Sequence, residues 1–201
     1  VVDFVSFLIF KNQLFIGGSR TVEAYQNIGG AGFPFRRTGL FLDKGVTAPF
    51  SIVNANDTFM FIGAGKNESS AIWQFEGNTV RKVSTTAIDA ILQRFTDAEI
   101  LSSFAWVYAQ KGAYFVGFTL PTTTIVIDTI TGRWHERKST IVNAAGSTET
   151  RRFRVNSMVK AYGKTIVFDS VDGRVGSLDP DVYTEYGSNI IRKVATQPFQ
   201  N

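Results

Sequence analysis

A short apolar strand recurs four times in this chain, and each copy ends in a small or turn-forming residue. The copies are Leu14-Phe15-Ile16-Gly17, Met60-Phe61-Ile62-Gly63, Tyr114-Phe115-Val116-Gly117 and Ile166-Val167-Phe168-Asp169. Their last positions lie 46, 54 and 52 residues apart. A repeat of that length built from several short strands matches the blade of a β-propeller, which cannot bury its faces alone and must stack on its neighbours. The expected fold is therefore all-β, an array of four-stranded antiparallel blades. The blade-like blocks fall at about residues 4–45, 48–84, 103–139 and 155–195 of a single domain over 1–201.

Composition agrees. The chain has 18 Phe, 6 Tyr and 3 Trp, and only 19% of its residues are charged. Aromatic side chains suit a half-buried pleated surface. No run of 18 apolar residues exists, so no helical membrane span is expected. There is no Cys, which removes disulfides, thiolate metal sites and cysteine nucleophiles. The net charge of +4 is too small to announce a nucleic-acid binder. The segment Val1–Phe10 lacks a basic leader and a cleavage site, so it reads as a strand. Without an initiator Met, the sequence reads as an interior segment of a longer chain.

Local signals divide each block. In the first, strands over Phe4–Phe10 and Gln13–Gly17 flank a Lys11-Asn12 turn, and Thr21–Gln26 follows. The glycine-rich stretch Gly29–Arg37 reads as a surface loop and Leu40–Leu42 as a short strand. The second block has strands over Phe50–Val53, Phe59–Gly63, Ala71–Phe75 and Val80–Val83. One helix interrupts the array: Ile88, Ile91, Leu92 and Phe95 make an apolar stripe, and Thr86 to Asp89 is a near capping box. The third block runs Ala105–Ala109, Ala113–Thr119, Thr124–Asp128 and Arg133–Arg137, followed by a loose polar stretch from Ala144 to Thr150. The fourth runs Ser157–Ala161, Thr165–Asp169 and Arg174–Leu178, with Asp172-Gly173 as a hairpin turn, and closes with Asn189–Ala195.

Chemistry-bearing motifs are sparse. His135 is the sole histidine and has neither nucleophile nor orienting acid in a motif, so it reads as a strand residue. Asp169, Asp172, Asp179 and Asp181 cluster, but the alternating calcium-loop pattern ending in Glu is absent. Gly63-Ala64-Gly65-Lys66 lacks the spacing of a phosphate loop, and Gly29–Gly32 precedes no helix. Ser170-Val171-Asp172-Gly173 begins like the aspartate turn of sialidase propellers, but the glycine comes one place early and no Trp follows. A carbohydrate-active or sugar-binding propeller is thus the alternative, with paired carboxylates as its requirement. No catalytic residue, metal or cofactor is expected. The basic doublets Arg36-Arg37, Arg81-Lys82, Arg151-Arg152 and Arg192-Lys193 read mainly as solvated strand edges that resist edge-to-edge pairing.

Several strings in order resemble the packaged-DNA stabilisation proteins of short-tailed phages, a tail hub family. They are Ile16-Gly17-Gly18-Ser19-Arg20-Thr21-Val22-Glu23-Ala24-Tyr25, Gly29-Gly30-Ala31-Gly32-Phe33-Pro34-Phe35, Ile72-Trp73-Gln74-Phe75 and Gly132-Arg133-Trp134-His135-Glu136-Arg137. The resemblance covers most of residues 5–195. It implies a non-enzymatic virion protein, made in the host bacterial cytoplasm, that assembles as a homo-oligomeric ring below the portal. Such a ring helps retain packaged DNA and forms part of the exit channel, with DNA passing nearby without sequence-specific binding. The implied partners are other neck and tail proteins, namely the portal adaptor and the tail needle or tailspike. The candidate contact residues are Phe33, Phe35, Arg36, Arg37 and Phe41, because the first four sit in the glycine-rich stretch and all three rings are candidates for exposure.

Overall fold

A computed structural model describes residues 3–143 and 145–194. Val1, Val2, Ala144 and Ala195 therefore lie outside the described residues. The chain divides into two compact units, one ending at Arg137 and the other beginning at Lys138.

The first unit holds three antiparallel sheets. Sheet 1 contains β1 (Phe4–Phe10), β2 (Gln13–Gly18), β3 (Val22–Asn27) and β4 (Phe35–Leu42), in that order. Sheet 2 contains β5 (Gly45–Val46), β6 (Val53–Ala55), β7 (Thr58–Ala64), β8 (Ala71–Glu76) and β9 (Thr79–Lys82). Both β5 and β6 pair with the same strand, β7. Sheet 3 contains β10 (Phe104–Gln110), β11 (Ala113–Thr119), β12 (Thr124–Asp128) and β13 (Arg133–Val142). The repeated apolar strands are β2, β7 and β11, and each is second in its sheet. β2 and β7 do not pair with each other, so the sheets are separate blades rather than one continuous barrel wall.

Two cores stack these sheets. Phe10, Phe15, Val22 and Leu42 of sheet 1 pack with Phe59 and Phe61 of sheet 2. Phe59 stacks on Phe75 at 4.7 Å and tilts against Phe15 at 4.9 Å. The opposite face of sheet 2, with Met60, Ile62 and Ile72, packs with Val116, Phe118, Ile125 and Ile127 of sheet 3. Sheet 2 is thus covered on both faces, which explains why β7 is apolar at almost every position.

Between sheets 2 and 3 lie α1 (Thr86–Leu92) and α2 (Asp97–Ile100), so the expected single helix is corrected to two. The apolar stripe behaves as expected: Ile88 and Leu92 are buried, and Ile91 and Phe95 pack against the same core. The cap of α1 is Thr85, one residue before the expected Thr86, and its side chain accepts from the Ile88 amide. Asp89 instead accepts from Ser84 Oγ at 2.6 Å and pairs with Lys82 at 2.5 Å. The full capping box belongs to α2, where Thr96 and Glu99 exchange side-chain and backbone bonds.

In the second unit, the distal half of β13 pairs with β14 (Thr148–Arg152), where the sequence reads as loose polar chain. Sheet 4 contains β15 (Val155–Ala161), β16 (Lys164–Asp169) and β17 (Val175–Leu178). A separate two-stranded hairpin, β18 (Thr184–Glu185) and β19 (Ser188–Asn189), follows. Residues 190–194 form no strand, which corrects the expected closing strand over Asn189–Ala195. Sheet 4 is therefore three-stranded.

Candidate partner-binding surface

The expected loop Gly29–Arg37 is shorter than its composition implies. Only residues 28–34 connect strands, and Phe35, Arg36 and Arg37 belong to β4. The loop closes on itself where the Ile28 amide donates to the Pro34 carbonyl at 2.8 Å. Gly29 and Gly30 supply positive φ values of 66° and 120°, a region that glycine enters without steric cost. Within β4, Gly39 at φ 88° forms part of a bulge, since Glu23 faces Phe41 while Tyr25 faces Arg37. The bulge lets β4 run on through Gly39 to Leu42.

This register separates the candidate residues. Phe33 is 79% exposed at the loop tip, and its ring lies 5.8 Å from the half-buried Phe35. Arg36 and Arg37 are neighbours in a strand and point to opposite faces. Arg36 is exposed opposite Gln26. Arg37 is committed: its Nε donates to the Tyr25 hydroxyl at 3.0 Å, and its Nη2 pairs with Glu23 at 2.8 Å. Tyr25 in turn donates to Glu23 at 3.0 Å. These partners hold the guanidinium above its ordinary range, led by the Tyr25 bond.

Arg37 and Phe41 belong to a larger surface that the sequence reading did not assemble. Two cross-strand rows run over the face of sheet 1 that points away from sheet 2. One is Phe7–Ile16–Glu23–Phe41 and the other is Ile9–Leu14–Tyr25–Arg37. Residues directly opposite one another share a face. Phe7 is 60%, Ile9 65% and Phe41 58% exposed, and the exposed Phe4 stacks on Phe7 at 6.5 Å. The available signal was the register itself: once β1 to β4 are paired, the rows follow from alternation.

The ionisable residues converge elsewhere, in the second unit. Arg154 and Asp169 are buried, with side chains 5% and 1% exposed, and pair at 2.5 Å. Arg154 also reaches Asp172 at 2.9 Å, and Arg174 reaches the same carboxylate at 2.5 Å. Arg174, ahead of other contacts, holds the Asp172 carboxyl well below the usual range. Tyr186 lies beneath both guanidinium groups, 4.0 Å from Arg174 and 4.9 Å from Arg154. Glu185 is raised, chiefly by burial, and accepts from Ser139 Oγ at 2.8 Å. Two arginines thus neutralise the Asp169 and Asp172 carboxylates. Asp179 accepts from the Asp181 amide at 2.9 Å in a turn. Among the described residues no group of three or more His, Asp or Glu is placed to hold a metal ion.

His135 serves packing. It meets Phe115 edge-on at 5.9 Å and accepts from Arg137 Nε at 3.2 Å. Arg137 lies among the rings of Trp106, Tyr108 and Phe115, each within 5.1–5.6 Å of its guanidinium. Burial, with Arg137 second, pushes the imidazole below its ordinary value.

A family model described as bacteriophage P22 Gp10, β-propeller, matches residues 3–183. Among solved structures, an engineered GH43 glycoside hydrolase with endo-xylanase and exo-arabinofuranosidase activity aligns at 14% identity and a TM-score of 0.38. That alignment covers 97% of this chain and 44% of the hydrolase, so the chain spans less than half of that protein's length. A likeness that weak carries no argument about activity. No curated protein matches the sequence.

Proposed function

We propose that this chain, which belongs to the bacteriophage P22 Gp10 β-propeller family, is a non-enzymatic structural component of the phage tail hub. In this reading it assembles as a homo-oligomeric ring below the portal, helps retain packaged DNA and lines part of the exit channel. The observation that carries the reading is the family match over residues 3–183. The exposed aromatic surface of the first unit supports it, because apolar patches rimmed by polar groups mark protein contacts. The Arg154 cluster supports a structural role, since its carboxylates are tied to cations. DNA passes without base-specific readout in this reading, which accords with the modest net charge of +4.

The test is complementation of particles that lack the protein, with DNase-protected DNA measured after packaging. Wild-type chain is expected to restore retention. Phe33→Ser with Phe35→Ser is expected to melt like wild type yet restore retention poorly, because the loop tip settles against a neighbour. Collapse of the fold would place the loop in the core, and Phe33→Ser alone then separates the exposed ring from the half-buried one. Full restoration by both variants would make the loop a mere connector.

A further inference from the structure

Three two-residue turns, Lys11-Asn12, Asn56-Asp57 and Gly77-Asn78, close the hairpins β1–β2, β6–β7 and β8–β9. Each contributes to the lining of one cleft of about 830 Å³ between the packed sheets 1 and 2, a volume suited to a small ligand. Its base is aromatic. Phe10, Phe15 and Phe75 line it, and all three are held in place: Phe75 stacks on Phe59 at 4.7 Å and meets Phe10 and Phe15 at 5.9 and 5.4 Å. Its rim is polar. Lys11 Nζ lies 5.2 Å over the Phe10 ring, and Gln13, Asp57 and Asn78 complete the edge. Among the described residues, the side chains of these last three have no hydrogen-bond or ion-pair partner. Thr38, by contrast, is committed: its Oγ1 donates to the Ala24 carbonyl at 3.1 Å and accepts from the Leu40 amide at 3.3 Å.

We infer that this cleft binds a neutral saccharide. A pyranose offers a C–H face to an aromatic base and a rim of hydroxyls, each of which can donate and accept. The two amides, the carboxylate and the ammonium of the rim supply both kinds of partner. Lys11 and Asp57 are opposite in charge, so an anionic ligand would meet one of them with the wrong sign, and so would a cationic one. An extended peptide pairing with the edge of β4 is the competing occupant of such a groove. The bulge at Gly39 argues against it, because it breaks the even run of edge groups that a ladder needs. Tight turns place the rim groups before a ligand arrives, which lowers the ordering cost of binding. With Asp57 as the one acid among the described lining residues, the pair of carboxylates that hydrolysis requires is missing, so the saccharide is held and not cleaved. This site goes beyond the hub reading and needs no ring.

Ligand-observed NMR of the purified chain tests it, with neutral hexasaccharides of glucose, mannose, galactose and xylose as probes. At least one is expected to bind at millimolar concentration or below, with saturation transfer strongest at its ring C–H protons. Gln13→Ala and Asn78→Ala are each expected to weaken that binding about fivefold, the scale of one lost hydrogen bond, at an unchanged melting temperature. Should Gln13→Ala melt early, Asp57→Ala takes its place and must show the same loss. Failure of all four probes to bind would overturn the inference. Binding that survives the substitutions would also overturn it, because the sugar would then sit elsewhere. So would displacement of the sugar by a heptapeptide of alternating Thr and Val, which would assign the groove to edge pairing. DNA retention in the complementation assay involves no saccharide, so failure of this site and failure of the hub reading are separable.

Discussion

Gly117→Ala probes how the blades are held together. A Cβ at Gly117 would lie 2.2–2.4 Å from three atoms of the Trp106 indole, far inside contact distance. Trp106 is 4% exposed and its Nε1 donates to Thr119 Oγ1 at 3.1 Å. The ring is the far end of a side chain but it is walled in, so it must shift with its neighbours. Overpacking of this kind costs about 1–3 kcal/mol. Displacing the indole also strands a buried donor, which adds about 1–3 kcal/mol. Against this, alanine restricts the unfolded chain and returns about 0.5–1 kcal/mol. The net expectation is a loss of about 2–4 kcal/mol, read as a lower denaturant midpoint with an unchanged slope. In a Trp106→Leu background the clash is absent, so most of the cost of Gly117→Ala should vanish, giving a large coupling in the cycle. A cost below about 0.5 kcal/mol, the usual scale of a surface change, or one that persists without the indole, would refute the close-approach account.

Removing one member of the buried pair should be costlier than removing both. Arg154→Met leaves the Asp169 carboxylate buried without its cation and should cost about 3–5 kcal/mol by denaturant unfolding, while Arg154→Met with Asp169→Leu should recover much of that. His135 titrates lower in the fold than its ordinary value near 6.5, so the unfolded chain takes up the proton first. Stability should therefore hold above that ordinary value and fall as pH drops from it toward the folded pKa; unfolding midpoints at pH 7.5 and 5.5 should converge in His135→Gln, and an equal decline in both proteins would dismiss His135 as the source.

The parts legible in sequence were those fixed by local chemistry. The hairpins at Lys11-Asn12, Lys111-Gly112 and Tyr162-Gly163 have positive φ at both central residues, as tight two-residue turns require. Asn or Gly in each marks the turn, and flanking apolar runs mark the strands. The misreadings have physical causes. Gly45–Val46 looked like turn chain because a two-residue strand has no period, and Gly45 sits where it does because a Cβ would strike the backbone of Ser19 and Arg20 at 2.1–2.5 Å. β14, Thr-Glu-Thr-Arg-Arg, lacks an apolar face because it lies at the edge of its ladder. Helix α2 is too short for a hydrophobic period, although Thr96 and Glu99 spelled its cap. The hairpin at Tyr186-Gly187 was invisible because its two-residue strands, Thr184–Glu185 and Ser188–Asn189, carry no apolar run to flank the turn. It is held by tertiary contacts: Arg174 over the ring, and Gly176, whose absent Cβ leaves room 2.7 Å from the Tyr186 hydroxyl.

The fourth position of the repeat shows how one sequence pattern serves different contacts. At Gly17 an added Cβ would meet Val46 Cγ2 at 2.7 Å, at Gly63 the carbonyl oxygen of Gly45 at 2.1 Å, and at Gly117 the Trp106 ring. None of the three has the positive φ that would demand glycine for backbone reasons, so each glycine is there for space. The obstacles differ in hardness: a methyl, a ring and a backbone oxygen. In the last repeat the position is Asp169, whose carboxylate occupies the space and is neutralised by Arg154. A glycine there would leave Arg154 buried without its main counter-ion, and an aspartate in any earlier repeat would bury an uncompensated charge. The repeat therefore conserves a crowded location in each blade rather than a residue. The second unit fills that location with an ion pair where the first unit fills it with Val46, the Gly45 carbonyl or the Trp106 ring.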